Sequence, residues 1–148
     1  MRFWDSSALL SIALGEAPQQ RLQYLLRTDD EYAIWWATRV ECEGGFARAE
    51  GSGRLGAAGR RQARAFLDEL YERALEIEPS AAVRAYAVRL VGVHPVRAAD
   101  ALQLAAALFW CQEQATGVPF VCLDDRLREA AVKEGFRVLP YPDEVQEP

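Results

Sequence analysis

Four acidic residues lie where strands or helices begin or end, and their carboxylates could act together. They are Asp5, Glu41, Asp100 and Asp124. Singly, each has a structural explanation, because acids cap helices and favour their first turns. If the four converge, two carboxylates about 4 Å apart repel by roughly 4 kcal/mol at an effective dielectric near 20, and a cation must offset this repulsion. An all-oxygen ligand set favours Mg²⁺ or Mn²⁺, which can polarise a phosphate and activate water for hydrolysis.

The most informative of these acids is Asp100, which interrupts an apolar helix predicted over 97–108. Small and aliphatic residues occupy nearly every side of this helix, so we expect it to be buried. Because burying an unpaired carboxylate is costly, Asp100 needs a cation, a set of hydrogen-bond donors or a metal. Arg97, three residues earlier, could pair with Asp100 or bind a substrate phosphate, and the sequence does not choose between the two.

Short apolar runs alternate with helical segments along the chain. This pattern predicts an α/β fold, specifically a three-layer α/β/α sandwich with a central parallel sheet. We predict strands at 2–4, 31–37, 75–78, 120–123 and 136–139. Helices are predicted at 5–15, 18–27, 38–48, 57–74, 79–90, 97–108 and 126–134. Sites in such sheets form at the carboxyl ends of the strands, where Asp5, Asp124 and, in the helix after the second strand, Glu41 would meet.

Neighbouring residues offer alternatives at two of the four acidic positions. Glu41 could instead complete a capping box with Thr38, three residues before it. Glu43 stands two residues after Glu41 and therefore about 200° round the helix, on its other face. Asp125 competes with Asp124, but the end of the predicted strand favours Asp124 and leaves Asp125 facing solvent or metal-bound water.

The composition is that of one globular domain covering 1–148, with a loose tail over 140–148. The net charge of −5 argues against a nonspecific nucleic-acid binder, but not against a nuclease with a carboxylate site. The 3 cysteines lack ligand-like spacing, which indicates reduced thiols and hence a cytoplasmic protein. No apolar run approaches the ~20 residues that span a bilayer, so no membrane association is expected, and neither is a signal peptide.

Four motifs, in this order, resemble those of PIN domains, and in particular the VapC-type toxin ribonucleases of type II toxin–antitoxin modules. They are Asp5-Ser-Ser-Ala-Leu, Glu41 ahead of Phe46-Ala-Arg48, Arg97-Ala-Ala-Asp100-Ala-Leu-Gln-Leu-Ala, and Val121-Cys-Leu-Asp124-Asp-Arg-Leu-Arg-Glu-Ala-Ala. The match covers essentially the whole chain. It implies a PIN-like sandwich and a Mg²⁺- or Mn²⁺-dependent endoribonuclease that hydrolyses RNA with a metal-activated water. It also implies a homodimer and inhibition by a cognate antitoxin.

The resemblance assigns roles to individual residues. The family's four acidic positions, which are catalytic and bind the metal, fall on Asp5, Glu41, Asp100 and Asp124. The hydroxyl that supports the first acid would come from Ser6 or Ser7. One departure is Cys122, which stands where the family often has Ser or Thr two residues before its last acid.

Three arginines near the predicted mouth of the site are candidate RNA ligands: Arg97, Arg39 and Arg48. A solvated helix face is the alternative explanation for the two that share a helix with Glu41. Three tryptophans fall in predicted strands and are expected in the core: Trp4, Trp35 and Trp36. An exposed one would instead offer a face on which a base can stack.

Two other functions are compatible with parts of this pattern. A non-catalytic PIN-like scaffold would bind a protein or RNA partner through the same fold without using a metal. A phosphoacceptor receiver is also a parallel α/β fold with clustered acids, but it requires an acid pair after the first strand and a lysine near the last. Here only Asp5 follows the first strand, and Lys133 falls within a helix.

Overall fold

The computed structural model describes residues 1–145, and five parallel strands form its central sheet. The strands are β1 (Arg2–Trp4), β2 (Tyr32–Trp35), β3 (Ala74–Ile77), β4 (Pro119–Val121) and β5 (Arg137–Leu139). Their order across the sheet is β3-β2-β1-β4-β5. Phe3 in β1 is in register with Ala33 in β2 and with Phe120 in β4. The predicted strands are therefore present, and their parallel arrangement is confirmed.

Helices connect the strands, as the crossovers of a parallel sheet require. They are α1 (Ser6–Leu14), α2 (Gln19–Arg27), α3 (Thr38–Gly51), α4 (Ala57–Tyr71), α5 (Ala81–Val93), α6 (Ala98–Trp110), α7 (Asp125–Lys133) and α8 (Pro142–Val145). Helices α3 and α5 extend a few residues past their predicted ends, because helix termini are only weakly specified by local sequence.

The sheet separates two hydrophobic cores, and successive residues of a strand point into opposite ones. Phe3 joins the core beneath α5, α6 and α7, where its ring stacks on Phe120 with the centroids 5.5 Å apart. The next residue, Trp4, joins the core beneath α1 to α4. Both side chains are fully buried. Helices on both faces of the sheet make the three-layer sandwich that the sequence predicts.

Helix α6 is buried along most of its length, as its apolar sequence predicts. Its buried residues are Ala101, Gln103, Leu104, Ala105, Ala106, Ala107 and Leu108. The helix packs against α5 and against β2. Asp100, in its first turn, is therefore held next to the core by a rigid element.

One predicted core residue lies at the surface. Trp4 and Trp35 are buried as expected, but Trp36 stands in a turn beyond the end of β2 and is 49% exposed. The prediction is wrong there because the strand ends at Trp35, before the apolar run of the sequence does.

The carboxyl-terminal segment is partly helical. Residues 142–145 of the predicted loose tail form α8, and Glu144 makes a 2.6 Å ion pair with Arg21. Residues 146–148 of that tail lie outside the described residues. Among residues 1–145 no helix combines the length and the apolarity that crossing a membrane requires.

Candidate functional site

The carboxyl edge of the sheet has a crevice at β1, because the strand order reverses there. Strands β2 and β3 lie on one side of β1, and β4 and β5 lie on the other. Open α/β sheets place their binding sites at such a point. Asp5 directly follows β1, Asp124 lies just past β4, and Glu41 is in the first turn of α3, after β2. The topology therefore brings these three acids to one crevice.

Asp5 is the N-cap of α1 and is only 3% exposed. Its Oδ2 accepts hydrogen bonds from the Ser7 amide at 3.0 Å, from the Ser7 hydroxyl, and from the Cys122 thiol at 3.6 Å. Burial raises the pKa of Asp5 from 3.8 to about 6; the Ser7 hydrogen bonds oppose the rise and the charge of Glu41 adds to it. The carboxylate that caps the helix thus also faces another acid, so the structural and functional explanations of Asp5 are compatible.

Glu41 turns its carboxylate toward α1 and α6 and not back to the start of its own helix. Its Oε2 accepts a 2.6 Å hydrogen bond from the Ser6 hydroxyl, and its Oε1 accepts a 3.2 Å bond from the Gln103 amide. The alternative capping box does not form, because Thr38 Oγ1 accepts from Gln103 at 3.1 Å instead of capping the helix. Burial raises the pKa of Glu41, the bonds from Ser6 and Gln103 lower it, and the charge of Asp100 raises it further.

Asp100 and Asp124 are close enough for one charge to act on the other. Burial and then the charge of Asp124 raise the pKa of Asp100. The Arg97 backbone amide and the charges of Arg97 and Arg126 oppose this rise. Asp124 is the N-cap of α7, and its Oδ1 accepts a 2.9 Å hydrogen bond from the Leu127 amide. As with Asp5, a helix cap doubles as a member of the cluster.

The charges of the four acids act on one another in sequence. We call this set, Asp5, Glu41, Asp100 and Asp124, the acidic chain. Glu41 raises the pKa of Asp5, and Asp100 raises the pKa of Glu41. Asp124 in turn raises the pKa of Asp100. None of the four has an ion-pair partner within 4.0 Å among residues 1–145. Glu43, by contrast, lies within that distance of three arginines. Within the described residues these four carboxylates therefore have no ion pair, and only Arg97 and Arg126, near Asp100, partly offset their charge.

A cavity of about 470 Å³ opens over part of the cluster. Asp100, Asp124 and Asp125 form its acidic wall, and Arg97 and Arg126 supply two guanidinium groups. Asp125 is exposed at the start of α7, as the sequence predicts. The other two members of the cluster, Asp5 and Glu41, do not line this cavity. It therefore offers carboxylates to a cation and, beside them, cations to a phosphate.

The donor set is chemically suited to a hard divalent cation, because carboxylate and hydroxyl oxygens from separate elements gather at one edge. As the side chains stand, no three acids, cysteines or histidines of residues 1–145 are grouped as metal ligands. The hydrogen bonds of Asp5 to Ser7 and Cys122 all use Oδ2, so its Oδ1 can face a cation while they remain in place.

The two serines have separate partners. Ser7 donates to Asp5, and its oxygen also accepts a 2.9 Å hydrogen bond from the Leu123 amide beyond β4. Ser6 donates to Glu41. The sequence left open which serine supports the first acid, and the structure places Ser7 against Asp5.

The three arginines predicted to bind RNA occupy different surroundings. Arg97 lines the cavity described above. Arg39 pairs with Asp68 at 2.7 Å, and its guanidinium lies over the Tyr71 ring, 5.8 Å from the centroid. Arg48 is exposed in the last turn of α3. Only Arg97 of the three is at the cavity.

Two residues that sequence reasoning missed also belong to this region. Gln103 is fully buried and joins α6 to α3 through its bonds to Thr38 and Glu41. A polar residue one turn after Asp100 in an otherwise apolar helix was the available signal. Arg126 lines the cavity and lowers the pKa of Asp100. The sequence shows that Arg126 lies two residues after Asp124. The direction of its side chain depends on where α7 begins, which the sequence does not fix.

All three cysteines are unpaired thiols, as the sequence predicts. Cys122, the departure from the PIN pattern, keeps a hydrogen-bonding role, because its thiol donates to Asp5. Burial raises the pKa of Cys122 well above its ordinary value of 9.0, so the group stays a neutral donor.

Neither family models nor curated proteins match this sequence. Solved structures do match its fold. A toxin–antitoxin complex from Klebsiella pneumoniae superposes with a TM-score of 0.57 and 17% identity, over 84% of this chain and 87% of that chain. FitAcB from Neisseria gonorrhoeae gives 0.63 and 18% identity, over 95% and 97%. VapBC2 from Rickettsia felis, bound to a DNA fragment from its promoter, gives 0.61 and 15% identity, over 93% and 97%.

At identities this low the likeness establishes the architecture and not the activity. The superpositions with FitAcB and VapBC2 cover at least 93% of both chains compared, so the similarity extends over the whole domain and not over one motif. The chain therefore has the PIN-like α/β/α sandwich fold, as the sequence motifs predicted.

Proposed function

We propose that this chain is a metal-dependent endoribonuclease and the toxin of a toxin–antitoxin module. The observation that carries the proposal is the group of four acids at the switch point of the sheet, none of which has an ion pair among residues 1–145. Asp5, Glu41, Asp100 and Asp124 come from separate elements, and each consecutive pair is close enough to perturb a pKa. Clustering charges this way is unfavourable for folding alone, so a bound cation is the simplest reason for it.

The four acids would hold one or two Mg²⁺ or Mn²⁺ ions. When bound, such an ion polarises a phosphodiester and lowers the pKa of a water, which prepares hydrolysis. The chain's own residues prepare the acids for this role. Ser7 and Cys122 orient Asp5, and Ser6 and Gln103 orient Glu41.

The rim of the cavity would position the RNA. Arg97 and Arg126 stand beside Asp100 and Asp124, where they can attract the phosphates that the acids alone would repel. Arg39 and Arg48 contribute less in this arrangement, because Arg39 is held by Asp68 and neither lines the cavity.

The structural likeness to a toxin–antitoxin complex supports the toxin assignment. A cognate antitoxin would insert basic side chains between the four acids, because arginine forks match carboxylates in geometry and charge. We further propose that the toxin is cytoplasmic, which agrees with its unpaired cysteines. We also propose that it is a homodimer, which the resemblance to the toxin family implies. If the protein were purified from its native host without a bound partner, this would count against an antitoxin partner.

The test is Mn²⁺ binding by calorimetry, with cleavage of a mixed RNA pool followed in the same samples. Wild type, Asp100→Asn and the control Glu129→Gln are compared. Glu129 is an exposed acid on α7, outside the acidic chain, so its variant matches the lost charge. We expect binding and cleavage in wild type and in the control, and neither in Asp100→Asn. Cleavage by Asp100→Asn would refute the assignment.

A second candidate is a non-catalytic PIN-like scaffold that binds a protein or RNA partner. The observation in its favour is that no metal-ligand group is preformed among residues 1–145. The same calorimetry separates the two functions, since a scaffold would bind no Mn²⁺ in wild type.

A further inference from the structure

A second cavity of about 480 Å³ lies beside the acidic chain, on elements that carry two of its members. Trp36, Leu102 and Arg84 contribute to its walls. Trp36 precedes α3, which bears Glu41, and Leu102 follows Asp100 by two residues on α6. Its lining within residues 1–145 includes none of the four acids. Because residues two apart on a helix lie about 200° apart, Leu102 faces away from Asp100, and the cavity shares α6 with the four acids without including any of them.

The aromatic wall of this cavity is Trp36, which is 49% exposed. Its backbone is anchored, because the Trp36 amide donates a 3.1 Å hydrogen bond to the Ile77 carbonyl at the end of β3. The next residue, Ala37, is the N-cap of α3, and its carbonyl accepts from the Glu41 amide at 3.0 Å. The tryptophan is thus held on fixed backbone next to Ala37, which lies about one helical turn, roughly 6 Å along the axis, before Glu41. A half-exposed indole in that position offers a stacking face for a base.

The lining also contributes a positive charge. Arg84 is exposed and has no ion pair among residues 1–145. It lies in the first turns of α5, whose N-cap Ser80 and first residue Ala81 also line the cavity. The Ser80 hydroxyl satisfies the Val83 amide, which leaves the earlier amides of the helix available. A free guanidinium beside a helix N-terminus favours a phosphate group.

The wall also contains an unsatisfied donor. Trp35 lines the cavity, is 4% exposed, and its indole N–H finds no acceptor within the described residues. Buried polar groups without partners are uncommon in folded proteins. This N–H is itself closed to solvent, so a ligand in the cavity could accept from it only after the indole had turned.

We propose that this cavity binds one nucleotide of a single-stranded RNA substrate. The base stacks on Trp36, and a phosphate lies at Arg84 and the first turn of α5. From there the strand passes along Ala37 and Leu102 into the acidic cleft. This inference rests on the proposed ribonuclease function and adds to it a substrate-binding subsite outside the four acids.

The test measures RNA binding without cleavage. A fluorescein-labelled single-stranded RNA of mixed sequence is titrated with protein in EDTA, and the dissociation constant is measured by anisotropy at several salt concentrations. We expect Trp36→Ala to weaken binding roughly 5- to 150-fold, the range of one base–aromatic stack, and Trp36→Phe to retain most of the affinity. Arg84→Gln should weaken binding and reduce the slope of log K against log salt by about one phosphate contact.

The matched control is Arg61→Gln. Arg61 is an exposed arginine without an ion pair among residues 1–145, and it lies on α4, across the sheet from this cavity. Its substitution should leave both the affinity and the salt slope unchanged. Thermal melts of every variant establish that it is folded, and Arg84→Gln provides a surface substitution should Trp36→Ala fold poorly.

Several outcomes would overturn the subsite. One is equal affinity in wild type, Trp36→Ala and Arg84→Gln, and another is no wild-type binding at 100 μM protein, about the upper range of nonspecific nucleic-acid affinities. A third is unchanged RNA affinity with a change of oligomeric state in sedimentation, which would make this face a protein interface. Cleavage by wild type in Mn²⁺ is measured separately. If cleavage occurs and the variants bind normally, the subsite fails while the ribonuclease stands; if metal binding and cleavage are absent, the ribonuclease itself fails.

Discussion

The buried amide of Gln103 donates a 3.2 Å hydrogen bond to the Glu41 carboxylate and so ties α6 to α3. The same nitrogen donates to Thr38 Oγ1 at 3.1 Å, while Gln103 Oε1 is buried without a partner within the described residues. The Gln103 side chain therefore fixes the Glu41 carboxylate of α3 relative to α6, the helix that carries Asp100. This makes Gln103 a positioning residue for the acidic chain.

Replacing Gln103 by Leu should destabilise the fold by about 2 kcal/mol, because a charged acceptor loses its buried donor. Leu104→Met is the matched control, since Leu104 is equally buried and the change conserves volume. Urea unfolding at pH 7 measures both. Equal midpoints for the two variants would show that the bond to Glu41 contributes nothing. We also expect Gln103→Leu to weaken Mn²⁺ binding more than Leu104→Met does.

Asp5→Asn should stabilise the metal-free protein near pH 8. Asparagine can still cap α1 and accept from Ser7, but it carries no charge to be buried. The folded pKa of Asp5 is raised from 3.8 to about 6, so the penalty for its charge is fully present above that range. It disappears as the pH falls through 6 toward 3.8. The full interval corresponds to roughly 3 kcal/mol.

Denaturant unfolding of wild type and Asp5→Asn, in EDTA from pH 8 to pH 4, checks this. The variant should be the more stable at pH 8, and the difference should shrink steadily on acidification. Comparing the two proteins cancels other groups such as Glu43, whose lowered pKa contributes stability that is lost as the pH falls. A difference independent of pH would mean that the Asp5 carboxyl is not perturbed.

Glu41→Gln and Glu43→Gln should have opposite effects on stability. Glu41 is held by Ser6 and Gln103, and burial followed by the Asp100 charge raises its pKa. Neutralising it should raise the free energy of unfolding at pH 7 and abolish Mn²⁺ binding and cleavage.

The pKa of Glu43 is lowered, first by its hydrogen bonds to Arg64. Because its surroundings are partly exposed, Glu43→Gln should lower stability by only about 1 kcal/mol or less. It should leave Mn²⁺ binding and cleavage unchanged. If Glu43→Gln lost cleavage while Glu41→Gln retained it, Glu43 and not Glu41 would be the metal ligand.

Cys122→Ser should lower the pKa of Asp5. A hydroxyl donates a stronger hydrogen bond to a carboxylate than the thiol does at its present 3.6 Å. We expect a lower pKa of Asp5 in Cys122→Ser and a higher one in Cys122→Ala, which has no donor. Carboxyl-carbon NMR titration of Asp5 measures both changes. Identical titration curves in wild type, Cys122→Ser and Cys122→Ala would exclude the thiol as a donor to Asp5.

The sequence alone determined the architecture and the location of the acids. Alternating strand and helix patterns are local signals, and together they imply a parallel sheet with helices on both faces. The carboxyl ends of parallel strands share one edge, so the sequence alone predicts that Asp5 and Asp124 lie near each other. The helical period likewise separated Glu41 from Glu43, whose partners in the structure are the arginines Arg39, Arg60 and Arg64.

Only the tertiary structure decided which side chains touch. Gln103 contacts Glu41 across 62 positions of sequence, and Ser6 contacts it across 35. Trp36 is exposed because β2 ends two residues before the apolar run does. Such contacts and exposures depend on how elements pack at distances that no local pattern encodes. The strand period and the helix period set which face a residue occupies, and the packing of α1, α3 and α6 around the crevice set its partners.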